Sequence, residues 1–359
     1  MNFVLWGKLK MIKRESFSKE HIQNLVLQSG RDPIIMERTV YAFGLLEALT
    51  RVGMPFVFKG GTCLMLLLEK PQRLSTDIDI IVEPGTDLQE YLDKAAEIFP
   101  FKCVDEQERK GKNGIVKRHF KFTYDSPTYQ RDFYILLDVL FEHQQYETLV
   151  RREIRNDLLL TEPNYLSVLI PDENSILADK MTAFAPHTTG ILLGGDKDME
   201  VMKQMYDVSS LLDVFSDFTA VQKTYLRIVQ DEIAYRGISQ TAEDCLRDTF
   251  DAALCVACKG IYKPDEFQLY LGAVRSLRNH IFAENYSIEK AAPRAVKVMY
   301  MAVCMLSGDT YERVDDFHKY IDQQPTDPRL KPLKYLRKAN PEAYAYMIKV
   351  DQQLTLLNS

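Results

Sequence analysis

The chain has 359 residues, enough for two domains or one elaborated domain, and its 46% hydrophobic and 27% charged residues suit a globular protein with a sizeable core. A net charge of −6 excludes binding of nucleic acid through overall positive charge, so any polynucleotide has to be held by a local basic surface. The opening MNFVLW runs straight into Lys8, Lys10, Lys13 and Arg14, unlike a secretory leader, and no apolar run approaches the roughly 20 residues that span a bilayer; a cytoplasmic protein is expected.

Two helices lead the chain. Ser18, followed by Glu20, is an N-cap, and Asp32-Pro33 starts a second helix to about Arg51 with an apolar face of Ile35, Val40, Phe43, Leu46 and Leu49. Pro55 then introduces the short run Phe56-Val57-Phe58, which reads as a buried strand entering the tight turn Gly60-Gly61. Thr62 and the apolar segment Cys63 to Leu68 follow as a buried helix. Two glycines let the backbone approach a ligand, and the N–H groups that open the helix form, with Thr62, an anion site.

The next strand, Asp77-Ile78-Asp79-Ile80-Ile81-Val82, supplies the opposite charge. Residues two apart on a strand share a face, so Asp77 and Asp79 point together and repel unless a cation lies between them. Hard oxygen donors beside a phosphate cradle suit Mg2+ (or Mn2+), which takes one or two carboxylates and completes its shell with substrate phosphates. Together the two halves imply nucleotide chemistry.

Gly85 to about Phe99 reads as a helix, then Phe101–Glu108, Ile115–Tyr124 and Asp132–Glu142 as strands, with the Gly- and Asn-bearing tip Lys110 to Gly114 joining the first two. This hairpin carries Arg109, Lys110, Lys112, Lys117, Arg118, His119 and Lys121. It is either a solvated surface or a contact for an RNA backbone. Asp138 stands alone in the apolar run Tyr134 to Phe141; a buried carboxylate needs a cation, an Arg or Lys partner, or several donors.

Leu158-Leu159-Leu160 and Tyr165–Ile170 read as further strands, and Pro171-Asp172 opens a helix containing Lys180. A glycine-rich loop from Thr188 to Asp198 precedes a helix on which Lys203 and Asp207, four apart, share a face. From Ser216 onward the spacing of apolar residues is helical, and Arg275, Arg278, His280 and Lys297 line either a groove or a solvated face. Of the six cysteines only Cys255 and Cys258 have a ligand-like spacing; with no second pair to complete a zinc site, they read as buried thiols.

The GGT turn followed by RLSTDIDI resembles the nucleotidyltransferase superfamily that includes DNA polymerase beta, and more narrowly the AbiEii/AbiGii toxin family, whose signature runs FKGGT…RxSxDID. The resemblance covers about residues 20 to 215. It implies an α/β nucleotidyltransferase fold with a small mixed sheet, preceded by a helical lead-in (1–54) and centred on a core (55–195); the helical spacing of apolar residues beyond it adds a helical C-terminal domain (196–359). It further implies that Asp77, Asp79 and Asp138 hold the metal, and that Lys59, Gly60, Gly61 and Thr62, with Arg73, Ser75 and Lys203, bind the NTP. Lys180 and Asp207 match positions that the family requires. The expected reaction is transfer of NMP with release of pyrophosphate. The acceptor in some members is the tRNA 3′ end, and the setting is a toxin–antitoxin (abortive infection, phage defence) system with a cognate antitoxin. An antibiotic-type small-molecule nucleotidyltransferase and a non-catalytic nucleotide-binding protein are the alternatives.

Overall fold

Side-chain chemistry starts both leading helices as expected. The Ser18 hydroxyl accepts from the His21 amide at 3.2 Å to open α1 (Lys19–Ser29), and Asp32 Oδ1 accepts from Ile34 and Ile35 to open α2 (Pro33–Arg51). These positions come from a computed structural model, which describes residues 11–107 and 116–357. The hairpin tip with Arg109, Lys110 and Lys112 lies outside them.

The strands and helices that follow are β1 (Val57–Lys59), α3 (Gly60–Leu67), β2 (Asp77–Val82), α4 (Gln89–Ala96), β3 (Phe101–Gln107), β4 (Val116–Asp125) and β5 (Asp132–Phe141). They form a mixed five-stranded sheet in the order β1-β2-β5-β4-β3, in which only β2 and β5 are parallel. The excursion through α4, β3 and β4 is what returns the chain beside β2. Ile78, Ile80, Phe120, Phe122, Ile135, Leu137 and Val139 are all buried, and α2 covers their face: Tyr41 of α2 stacks on Tyr124 of β4 at 3.7 Å between ring centroids. Alternation therefore sends Asp77, Asp79 and Asp138 to the other face. Asp138 is not a buried acid in an all-apolar strand; its side chain is about a third exposed at 32%.

Two elements differ from expectation. Helix α4 is shorter than Gly85–Phe99, because Thr86 N–H turns back to Glu83 and Pro100 disfavours helix in the residue before it. Leu158–Leu160 is not a strand. The Asn156 side chain holds a turn there, accepting from Leu158 N and donating to the Met65 carbonyl, and the strand lies earlier, at β6 (Leu149–Glu153), paired antiparallel with β7 (Ser167–Pro171).

Packing divides the chain into two compact units, the first running to Asp172 and taking back Asn279–Glu284, the second comprising Glu173–Arg278 and the residues from Asn285 on. The returning segment straps onto the core: Leu74 N–H donates to the His280 carbonyl, Phe282 and Ala283 N–H donate to the Gln72 carbonyl, and Arg73 bridges Ile281.

The second unit is helical, as expected: α5 (Glu173–Ala183), α6 (Asp198–Leu211), α7 (Phe218–Arg236), α8 (Ala242–Ala257), α9 (Pro264–Leu277), α10 (Ile288–Ser307), α11 (Leu336–Ala339) and α12 (Pro341–Leu357). Cys255 and Cys258 are buried thiols, each pushed up to about 12 by burial. Lys297 is engaged by Asp213 and Glu342 at 3.0 and 2.9 Å. No helix among the described residues is long and apolar enough to cross a membrane.

Candidate active site

The pairing registers place one residue from each strand in a single row across the sheet: Lys59, Asp79, Asp138, His119 and Gln107. Directly paired residues share a face, and neighbouring strands lie about 4.8 Å apart, so Asp79 and Asp138 stand side by side. Asp77 is on the same face at the start of β2, where Arg38 of α2 reaches its Oδ1 at 3.5 Å. Asp138 Oδ1 lies 2.6 Å from His119 Nδ1.

The two glycines meet this row from the end of β1. Gly60 has φ +80°, and a Cβ there would overlap Asp79 Oδ2; the absent side chain is the space in which the carboxylate sits. A Cβ on Gly61 would stand 2.6 Å from Arg73 Nη2 and 2.7 Å from Ser75 Oγ. One glycine thus receives an acid and the other a guanidinium and a hydroxyl. Arg73 is buried, with Nη1 donating to the Leu74 carbonyl, and the returning strap runs alongside it. The Thr62 hydroxyl, also buried, donates to the Asp77 carbonyl at 2.6 Å, which ties α3 to the start of β2 and leaves the Thr62 backbone N–H as its group for a ligand.

Among the described residues no three His, Cys, Asp or Glu side chains are gathered closely enough to hold a metal ion unaided. The donors nevertheless fit a hard divalent cation. Two carboxylates on adjacent parallel strands and a third beside them supply oxygens, and Mg2+ characteristically borrows the rest of its shell from substrate phosphates and water.

The second unit holds the other candidates. Lys180 of α5 is buried and lies 3.1 Å from Asp207 of α6, with its Nζ also donating to Gln204 at 3.0 Å. It is no surface lysine. Lys203 reaches back to Glu200 at 2.8 Å. The hairpin cations within the described residues are partly committed: Arg118 grips Glu106 through two 2.7 Å bonds, which hold the Glu106 carboxyl below its usual range, and Lys121 Nζ lies 4.5 Å from the centre of the Tyr134 ring. The sequence does not point to the Arg38 contact or to the bond between His119 and Asp138. Nothing local in the sequence ties Arg38 to Asp77. His119 was in principle countable: once Asp125 and Asp132 close the β4–β5 hairpin, an equal count along each strand sets His119 opposite Asp138.

Comparison with protein families matches the nucleotidyl transferase AbiEii toxin, a type IV toxin–antitoxin family, over residues 45–286. The chain belongs to the AbiEii family. The AbiEii match takes in the sheet, both glycines, the three acids, Lys180 and Asp207, and ends just past the strap at Glu284. Curated protein sequences gave no match. Among solved structures the chain is loosely similar to JHP933 from Helicobacter pylori, at 12% identity and a TM-score of 0.44 over 75% of this chain and 92% of that one. It is more loosely similar to an antigenic nucleotidyltransferase-like protein from Paracoccidioides brasiliensis, at 16% identity and a TM-score of 0.34 over 57% and 95%.

Proposed function

We propose that the protein is the nucleotidyltransferase toxin of a toxin–antitoxin pair serving phage defence, and that it transfers NMP from an NTP to the 3′ end of a tRNA. The observation that carries the transfer chemistry is the register of Asp79 with Asp138 on parallel strands, with the Gly60 turn closed against Asp79; the toxin setting is supported by the family match.

Backbone N–H groups of Gly60, Gly61 and Thr62 open α3 and, with Arg73 and Ser75, receive the β- and γ-phosphates. Lys59 adds positive charge for the same triphosphate. Asp77, Asp79 and Asp138 would hold the divalent cations, which supply charge neutralisation at the attacking and leaving oxygens. The acceptor hydroxyl attacks the α-phosphorus in line, the bond to pyrophosphate breaks, and Asp138 takes the hydroxyl proton. Lys180, paired with Asp207, is assigned to the triphosphate charge that grows as that bond breaks.

The test is transfer of labelled NMP from each NTP to total RNA, beside a panel of small hydroxylated acceptors. Wild type should label tRNA, and Asp77→Asn or Asp79→Asn should not, with melting unchanged. Labelling of small acceptors alone would turn the reading to an antibiotic-type enzyme; full activity in both variants would remove the carboxylates from the reaction.

A further inference from the structure

The β4 strand brings to the carboxylate row a side chain that the reaction above does not use. His119 stands directly opposite Asp138, its Nδ1 2.6 Å from Oδ1, with the side chains 14% and 32% exposed. An ionised carboxylate offers only lone pairs, so the proton between the two is on Nδ1. Such charge-assisted bonds are short and directional.

We propose that His119 is a positioning residue for the third metal-binding carboxylate, an inference that rests on the nucleotidyltransferase reading. Two features of the row support it. Asp79 and Asp138 are adjacent carboxylates that repel until a cation arrives, and a donor on the outer side of Asp138 holds its rotamer against that repulsion. The bond also engages Oδ1 and leaves Oδ2 clear of His119 for a cation or a proton. Orienting a metal ligand is the usual work of its hydrogen-bonding neighbour.

The experiment uses His119→Phe, His119→Asn and His119→Gln in the full chain, with Asp138→Asn as reference. Phenylalanine fills the ring volume without a donor, the asparagine amide nitrogen replaces Nδ1, and that of glutamine replaces Nε2. Mn2+ affinity is read by electron paramagnetic resonance in the presence of α,β-methylene NTP analogues, alongside kcat, KM and melting temperature. His119→Phe and His119→Gln should lose about 10- to 100-fold in Mn2+ affinity and kcat, with KM for NTP and melting little changed, and His119→Asn should recover most of both. The proposal is overturned if His119→Phe binds Mn2+ and turns over like wild type while Asp138→Asn does not, or if Asn fails with Phe and melting falls in both. It also falls if Asp138→Asn keeps full Mn2+ affinity. Should wild type bind Mn2+ but label no acceptor, the functional reading fails while the Mn2+ series still decides the role of His119.

Discussion

Asp79 and Gly60 act as one unit: the carboxylate occupies the volume that a side chain at position 60 would need. Gly60→Ala should therefore cost about 1–2 kcal/mol for the left-handed backbone alone, and it should also displace Asp79 and weaken Mn2+ binding. Unchanged Mn2+ affinity in a folded Gly60→Ala protein would show that the close approach is incidental. Lys180 and Asp207 make the opposite kind of pair. Both side chains are nearly inaccessible, at 7% and 2%, and removing one partner of such a pair costs about 3–5 kcal/mol. Lys180→Met should thus lower melting as well as activity, in contrast to Asp77→Asn, whose exposed bond to Arg38 contributes about 1 kcal/mol at most. Equal melting of the Lys180 and Asp77 variants would contradict the buried pair. The carboxylates and glycines were legible because strand alternation and turn chemistry are local signals. Arg38 was not, because its meeting with Asp77 is made by packing between a helix and a strand far apart in sequence.

Elements rich in local punctuation are legible nearly to the residue: Ser18 and Asp32 mark the helix starts, and β2 has the bounds its alternation implies. Strand β6 escapes notice because Arg151 and Arg152 lie exposed in it and hide its pattern, while Leu158 and Leu159 are buried in a turn that mimics a strand core. The loop after α5 shows a second consequence of packing. His187 donates its backbone N–H and Nδ1 to Asp248 of α8, and its Nε2 lies 3.3 Å from Glu266 of α9. The Asp248 hydrogen bond raises the pKa of His187; burial opposes it, Glu266 adds to it and Lys263 subtracts. The folded state therefore binds the proton more tightly than the unfolded chain. The resulting stability is complete below about pH 6.5, the unfolded value, and disappears as pH rises through the raised folded value. His187→Gln should flatten unfolding free energy against pH across that window. A slope identical to wild type would assign the dependence elsewhere.

For the whole molecule, a net charge of −6 makes any RNA contact local and therefore separable by mutation. Replacing Lys110, Lys112 and Lys117 with Glu should weaken labelling of tRNA and flatten its dependence on salt by about one unit of slope for each phosphate no longer engaged. Binding of NTP should persist. Labelling equal to wild type at every salt concentration would make the hairpin a solvated surface. The strap has a bearing on a different matter, the order in which the chain leaves the ribosome. Arg73, Gly61 and Ser75 emerge early, whereas His280, Ile281 and Phe282, which bond the backbone around Arg73, emerge after most of the second unit. N-terminal segments fold first during synthesis, yet this one lacks an edge until Glu284 has been made. Ribosome-bound chains ending before Asn279 and after Glu284 should then differ in nucleotide binding, and equal binding would refute it. On that order of synthesis, a chain abandoned before Asn279 would carry the Gly61, Arg73 and Ser75 cluster without the segment that braces it.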